Sequence, residues 1–245
     1  MTGYKIPFSA RSHQYTDEEC KLVVDVMRNA SPLTQGKYLE EFERKFQQYI
    51  GVGHAFAVTN ATSALELAAQ LCNFRSGDEI IVPAHTFTSS VYPFAKNGAQ
   101  VVWADIDLRT RVVAVEQIQK CITSNTKAVV IPHLYGYLAD MPEIMDLAKK
   151  SNILVIEDAA QAIGAELEDC MAGAFGDISV FSFHAQKNIS SLGEGGVIVV
   201  RDECHARILP MLRHNGHSNF GWERDDYWLP AMGNLEMPEI DGTLL

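Results

Sequence analysis

Lys187 follows an apolar, β-rich run, ISVFSF, through His184-Ala185-Gln186. A lysine held against a buried strand loses solvation of its ammonium, so its free amine becomes available to attack a carbonyl carbon and form a Schiff base. Ser182 lies near the end of the same run, and Gly193-Glu194-Gly195-Gly196 beyond it lets another stretch of backbone approach closely. Asp158 closes the run ILVIE in a similar way. A carboxylate there needs a cation, a metal or a protonated ring nitrogen opposite it. Asn60-Ala61-Thr62-Ser63 opens the helical stretch ALELAAQLC with small and hydroxyl residues, which exposes backbone N–H groups to an anion in the field of the helix dipole. Phe87, in Pro83-Ala84-His85-Thr86-Phe87, is an aromatic plate able to stack on a planar ring. Taken singly, each has an ordinary reading: a surface lysine, a helix cap, a core phenylalanine.

The elements that must position these residues alternate in type. Strands are expected at 54–59, 79–82, 101–105, 127–132, 153–157, 178–183 and 196–200, several of them apolar on successive residues, as strands covered on both faces are. Helices are expected at 62–72, 86–97, 115–122, 141–151 and 203–213, preceded by one near 37–49 and one at 17–27 that Thr16 caps with Glu19 at the capping-box spacing. This is the pattern of an α/β fold with a mainly parallel, seven-stranded sheet wrapped by helices on both faces. The last two strands are joined by NISSLGEGG, too short for a crossover helix, so a hairpin and one antiparallel member are expected there. Each candidate residue then falls just after a strand, at the edge where parallel sheets collect ligands.

Composition narrows the function further. The 245 residues carry 20 Lys+Arg against 31 Asp+Glu, a net charge of −11, which argues against broad nucleic-acid or anionic-membrane binding. Five dispersed cysteines without a C-x-x-C pair indicate neither a disulfide framework nor a zinc ribbon, and fit a reducing cytoplasm. No run approaches the roughly 18 apolar residues of a membrane span. Gly51-Val52-Gly53 precedes a strand and lacks a third glycine, Gly36-Lys37 lacks P-loop spacing, His214-x-x-His217 is too short for a metal site, and no Gly-x-Ser-x-Gly elbow is present. An anion-binding helix start, an aromatic plate, an Asp after one strand and a Ser and Lys after a later one form the set that pyridoxal phosphate needs.

Six stretches of the chain, GKYLEEFERKFQQYIGVGHAFAVTNATSALELA, GDEIIVPAHTFTSS, VVWADIDLRT, PHLYGYLADM, IEDAAQAIGAE and GDISVFSFHAQKNISSLGEGGVIVV, cover most of residues 30–200. In these, in this order, the sequence closely resembles the DegT/DnrJ/EryC1/StrS family of sugar aminotransferases, within the fold type I pyridoxal-phosphate superfamily. The resemblance implies that Lys187 holds pyridoxal 5′-phosphate covalently and later shuttles a proton. It further implies that Asp158 pairs with the ring nitrogen, Phe87 stacks on the ring, Gln161 contacts the phenolic oxygen, and Ala61, Thr62 and Ser182 contact the phosphate. The implied reaction moves an amino group from an amino acid, usually glutamate, to a keto-sugar that is commonly nucleotide-linked, in surface-polysaccharide or secondary-metabolite sugar biosynthesis. Members with a histidine in place of the lysine are dehydratases, so Lys187 favours transfer. His184 and Glu194 lie beside the lysine without an assigned step.

The resemblance also implies a homodimer whose active site borrows residues from the partner. Residues 1–30 are expected to form an N-terminal arm and helix, 31–220 the cofactor-binding α/β domain, and 221–245 the start of an incomplete C-terminal region, since relatives continue for about another hundred residues. Ala61 and Ala185 stand where many relatives have Gly and Pro. Asn234, before Met237-Pro238-Glu239-Ile240, faintly resembles a phosphate-reaching loop, although Glu236 stands where Arg is expected. A non-catalytic, cofactor-binding or regulatory family member is the alternative, and a Rossmann-type oxidoreductase or epimerase would need the glycine fingerprint that is lacking.

Overall fold

The computed structural model describes residues 14–214 and 216; the expected C-terminal region, Asn234 and His217 lie outside the described residues. The elements in chain order are α1 (Asp17–Asn29), α2 (Lys37–Ile50), β1 (His54–Val58), α3 (Ala61–Cys72), β2 (Glu79–Pro83), α4 (Tyr92–Lys96), β3 (Gln100–Ala104), α5 (Val115–Cys121), β4 (Thr126–Pro132), α6 (Met141–Ser151), β5 (Leu154–Asp158), β6 (Glu166–Leu167), β7 (Cys170–Met171), β8 (Ile178–Ser182), β9 (Gly196–Val200) and α7 (Glu203–Arg213). Seven strands form one sheet in the order β1-β9-β8-β5-β4-β2-β3, and β6 and β7 form a separate small ladder. Strand β9 is antiparallel to both of its neighbours, β1 and β8, while the pairs among β8, β5, β4, β2 and β3 are parallel. The expected hairpin and single antiparallel member are therefore present.

Continuous apolar runs form central strands here because each strand buries alternate residues on opposite faces. On β4, Ala128 and Val130 join Leu65, Leu67 and Leu209 on the face covered by α3 and α7, whereas Val129 and Ile131 join Met141 and Ile144 of α6 on the other. At the β1–β9–β8 end of that second face, Phe42 and Phe46 of α2 meet Phe181 and Phe183 edge-on, with ring centroids 4.9–6.0 Å apart. Helix α1 carries the capping box expected at Thr16, whose hydroxyl accepts from the Glu19 amide while the Glu19 carboxylate accepts from the Thr16 amide.

The stretch 86–97 differs from the single helix expected. It is a 3-10 turn, Thr88–Ser90, followed by the five-residue α4 with Pro93 in its first turn. Pro93 lacks an amide proton, so the backbone ladder of one continuous helix cannot run unbroken through this stretch; within it Thr86 and Ser90 bond to each other through their hydroxyls at 2.8 Å. Six of the seven main strands end at one edge of the sheet, where β9 begins, and it is there that the chemically active residues gather.

Candidate active site

Helix α3 starts at this edge. The side chain of Asn60 caps it, accepting from the Ser63 amide at 2.9 Å, and the Asn60 carbonyl accepts from the Ala64 amide at 3.1 Å. The amides of Ala61 and Thr62 have no hydrogen-bond partner among the described residues. They are the positive end of a 12-residue helix dipole. Gly196 packs directly beneath them: a Cβ there would lie 2.5 Å from the Asn60 carbonyl carbon and 2.7 Å from the Ala61 nitrogen, so only glycine allows β9 to come so close. Gly196 is in turn the register partner of Ser182, the last residue of β8, which places that hydroxyl beside the helix start.

The 3-10 turn joins this corner to the middle of the sheet. The hydroxyls of Thr62 and Ser89 are 2.9 Å apart, and Ser90, one residue on and buried, donates to Asp158 Oδ2 at 2.6 Å. Phe87, which precedes the turn, is 68% exposed. That exposure removes the core reading of Phe87 and leaves an aromatic face open. Asp158 ends β5, buried, with Oδ1 accepting from the Ala160 amide at 3.2 Å. Gln161 follows on the same loop. Its Oε1 accepts from the Tyr135 amide at 2.8 Å, and because a backbone amide can only donate, this contact fixes which end of the Gln161 carboxamide is which. Its NH2 is therefore the end available to a ligand. Tyr135 itself holds φ +58°, an uncommon conformation for a side-chain-bearing residue.

Lys187 is half-buried on the loop after β8, its amide bonded to the His184 carbonyl at 2.8 Å. Burial draws its ammonium below the ordinary lysine value of 10.5, and the negative charge of Asp158 opposes part of that shift. The amine therefore lies within electrostatic reach of the Asp158 carboxylate. His184 Nε2 and Glu194 Oε1 lie 3.6 Å apart on the neighbouring stretch of chain.

The expected residues are therefore brought together: Ala61, Thr62 and Ser182 around the α3 start, Phe87 on the linking turn, and Asp158, Gln161 and Lys187 over the sheet centre. Residues that sequence reasoning missed are the ones that tie them: Ser89, Ser90 and Tyr135. A further polar cluster was also missed. Glu157, adjacent to Asp158 but on the opposite face, is fully buried and accepts from the amides of Gly173 (2.8 Å), Phe175 (2.9 Å) and Gly176 (2.5 Å), from Ser179 Oγ (3.2 Å) and from His133 Nε2 (3.0 Å). Burial alone raises its pKa, but the hydrogen bond and charge of His133 and the Gly176 and Gly173 amides together hold it below the ordinary glutamate value. The only hint in the sequence was a second carboxylate inside an apolar strand.

Open amides at a helix start, an exposed aromatic face, a buried carboxylate with few donors of its own and a half-buried amine suit a flat heteroaromatic ring that carries a phosphate and an aldehyde. Pyridoxal 5′-phosphate fits that description.

Comparison with known proteins agrees with this arrangement. A GDP-perosamine synthase of Caulobacter vibrioides is 39% identical over 210 residues, 85% of this chain and 55% of the relative. The chain spans about half the length of the curated relatives it matches, 51–55% of the first three. Among solved structures, an aminotransferase from Psychrobacter cryohalolentis superposes with a TM-score of 0.89 at 33% identity, over 97% of this chain and 62% of that one. An E. coli GDP-4-keto-6-deoxy-D-mannose-3-dehydratase with bound hydrated pyridoxal phosphate gives 0.89 at 27% identity, over 98% and 67%. The description of the DegT/DnrJ/EryC1/StrS aminotransferase family matches residues 13–245, and the chain belongs to that family.

Proposed function

We propose that the chain is the cofactor-binding part of a pyridoxal-phosphate-dependent aminotransferase that moves an amino group from an amino acid, glutamate foremost, to a nucleotide-linked keto-sugar in the biosynthesis of surface polysaccharides or secondary metabolites. The observation that carries this reading is the convergence of Lys187 and Asp158 at one sheet edge, opposite a helix start with open amides. A relative named for GDP-perosamine synthesis supports the sugar substrate, and Lys187 favours transfer over the dehydration named for one structural relative.

When bound, the cofactor supplies a ring that accepts the electron pair released as the amino donor loses its Cα proton. The Ala61 and Thr62 amides and the Ser182 hydroxyl hold the phosphate. Phe87 covers one ring face and excludes water from it. Asp158 holds a proton on the ring nitrogen, and the Gln161 NH2 donates to the phenolic oxygen, since its Oε1 is already taken by Tyr135. Lys187 Nζ would be the amine that holds the cofactor through its aldehyde carbon and the base that takes the proton from Cα of the donor; its lowered pKa keeps more of it as the free base these roles require.

Residues 31–220 are assigned as the cofactor domain. In the same proposal the assembly is a cytoplasmic homodimer whose partners are small molecules, not nucleic acid or membrane. The reading is tested by adding glutamate to the cofactor-loaded chain. The expected result is 2-oxoglutarate formed in proportion to the chain, with amination of an added nucleotide-linked keto-sugar afterwards. Loaded chain that releases no 2-oxoglutarate contradicts it.

A further inference from the structure

Asp158 does not stand alone at the sheet edge. Ser90, 1% exposed, lies 2.6 Å from its Oδ2, and Thr86 lies 2.8 Å behind Ser90. The direction of this chain is set by elimination. A carboxylate oxygen accepts, so Ser90 donates its single proton to Asp158, and its oxygen then accepts from Thr86. The other carboxylate oxygen is held by the Ala160 amide at 3.2 Å. Two donors on two different oxygens fix the plane of the carboxylate, and the shorter, charge-assisted one comes from the turn that also bears Phe87 and reaches Thr62 through Ser89.

We propose that Ser90, backed by Thr86, is a positioning residue that aims the Asp158 carboxylate at the ring nitrogen of the cofactor, so that one 3-10 turn sets the ring plate, the phosphate corner and the nitrogen partner in common register. The turn is held by its own backbone bonds, the Ser90 amide to Phe87 and the Val91 amide to Thr88, both at 3.0 Å. Residues 87–91 therefore act as one rigid piece, and a hydroxyl on it transmits the position of Phe87 to Asp158. This inference rests on the cofactor reading above and deepens it.

The test compares equilibrium binding of two ligands to the 245-residue chain: pyridoxamine 5′-phosphate, which has no aldehyde and binds reversibly, and its analogue with C–H in place of the ring nitrogen. The unaltered chain is expected to prefer the pyridine. Ser90→Ala weakens pyridine binding about tenfold and leaves the carbocyclic analogue unchanged, because only the former reaches Asp158 through its nitrogen. Thr86→Ala, which removes the donor behind Ser90 without altering the buried hydroxyl, gives a smaller loss, about threefold, with the same selectivity. Either variant suffices if the other does not fold. Equal loss for both ligands, or no loss for either, overturns the positioning role while leaving the cofactor reading intact. An unaltered chain that binds neither ligand removes the cofactor reading and this inference with it.

Discussion

Two carboxylates sit next to each other at the end of β5 and face opposite sides of the sheet. Glu157 is sealed, with five donors from the chain itself: three loop amides, a serine hydroxyl and a histidine. Asp158, one residue later, has a serine hydroxyl and a single amide. Burial scarcely differs, since both are below a tenth exposed, so the difference is one of saturation. Glu157 lies on the same face as Val155, the face that carries the α2 and α6 clusters. A carboxylate satisfied by its own chain organises the fold. One left with capacity at the strand-end edge is a place for a ligand.

That contrast can be broken from either side. Glu157→Ala should destabilise the chain most, by about 3–5 kcal/mol in urea unfolding, because it strands buried His133 and three loop amides, those of Gly173 and Gly176 buried. Asp158→Asn keeps an acceptor for Ser90 and should alter stability by less than about 1 kcal/mol, yet lower the affinity for pyridoxamine 5′-phosphate about 10- to 100-fold in equilibrium dialysis. If the two variants exchanged these effects, the assignment of fold to one carboxylate and ligand to the other would be reversed. Gly196→Ala pushes a methyl group into the start of α3; about 1–3 kcal/mol of stability should be lost, and inorganic phosphate should compete less well for the site. The smallest effect concerns acid. With its folded pKa below the ordinary 4.5, Glu157 contributes stability above that pH and loses it as the pH falls through the folded value. Urea midpoints measured from pH 7 to pH 3 should therefore fall more steeply for the unaltered chain than for Glu157→Gln.

Much of this was legible in the sequence, for reasons particular residues make plain. Strand β4 reads as a central strand because both faces of KAVVIP are apolar, and β9 reads as antiparallel because NISSLGEGG cannot cross the sheet. Asp158 and Lys187 were visible because each follows such a strand. Ser90 was not, because its partner lies 68 positions away and only the sheet order brings them together; the Thr62–Ser89 contact spans 27. The break of the helix expected at 86–97 was hidden in a different way. Helical spacing was present, but Pro93, which cannot donate to the backbone ladder, interrupts it. Glu157 looked like a strand residue because nothing local announces that His133 and the Gly173–Gly176 loop will enclose it.

The most direct test is to incubate the chain with pyridoxal 5′-phosphate, reduce it with borohydride and map the modified peptide by mass spectrometry across a range of pH. The cofactor should be fixed to Lys187 alone, half-maximally at a pH below the ordinary lysine value of 10.5, and not at all in Lys187→Ala. Label spread over surface lysines, or fixation that Lys187→Ala leaves unchanged, would contradict the account.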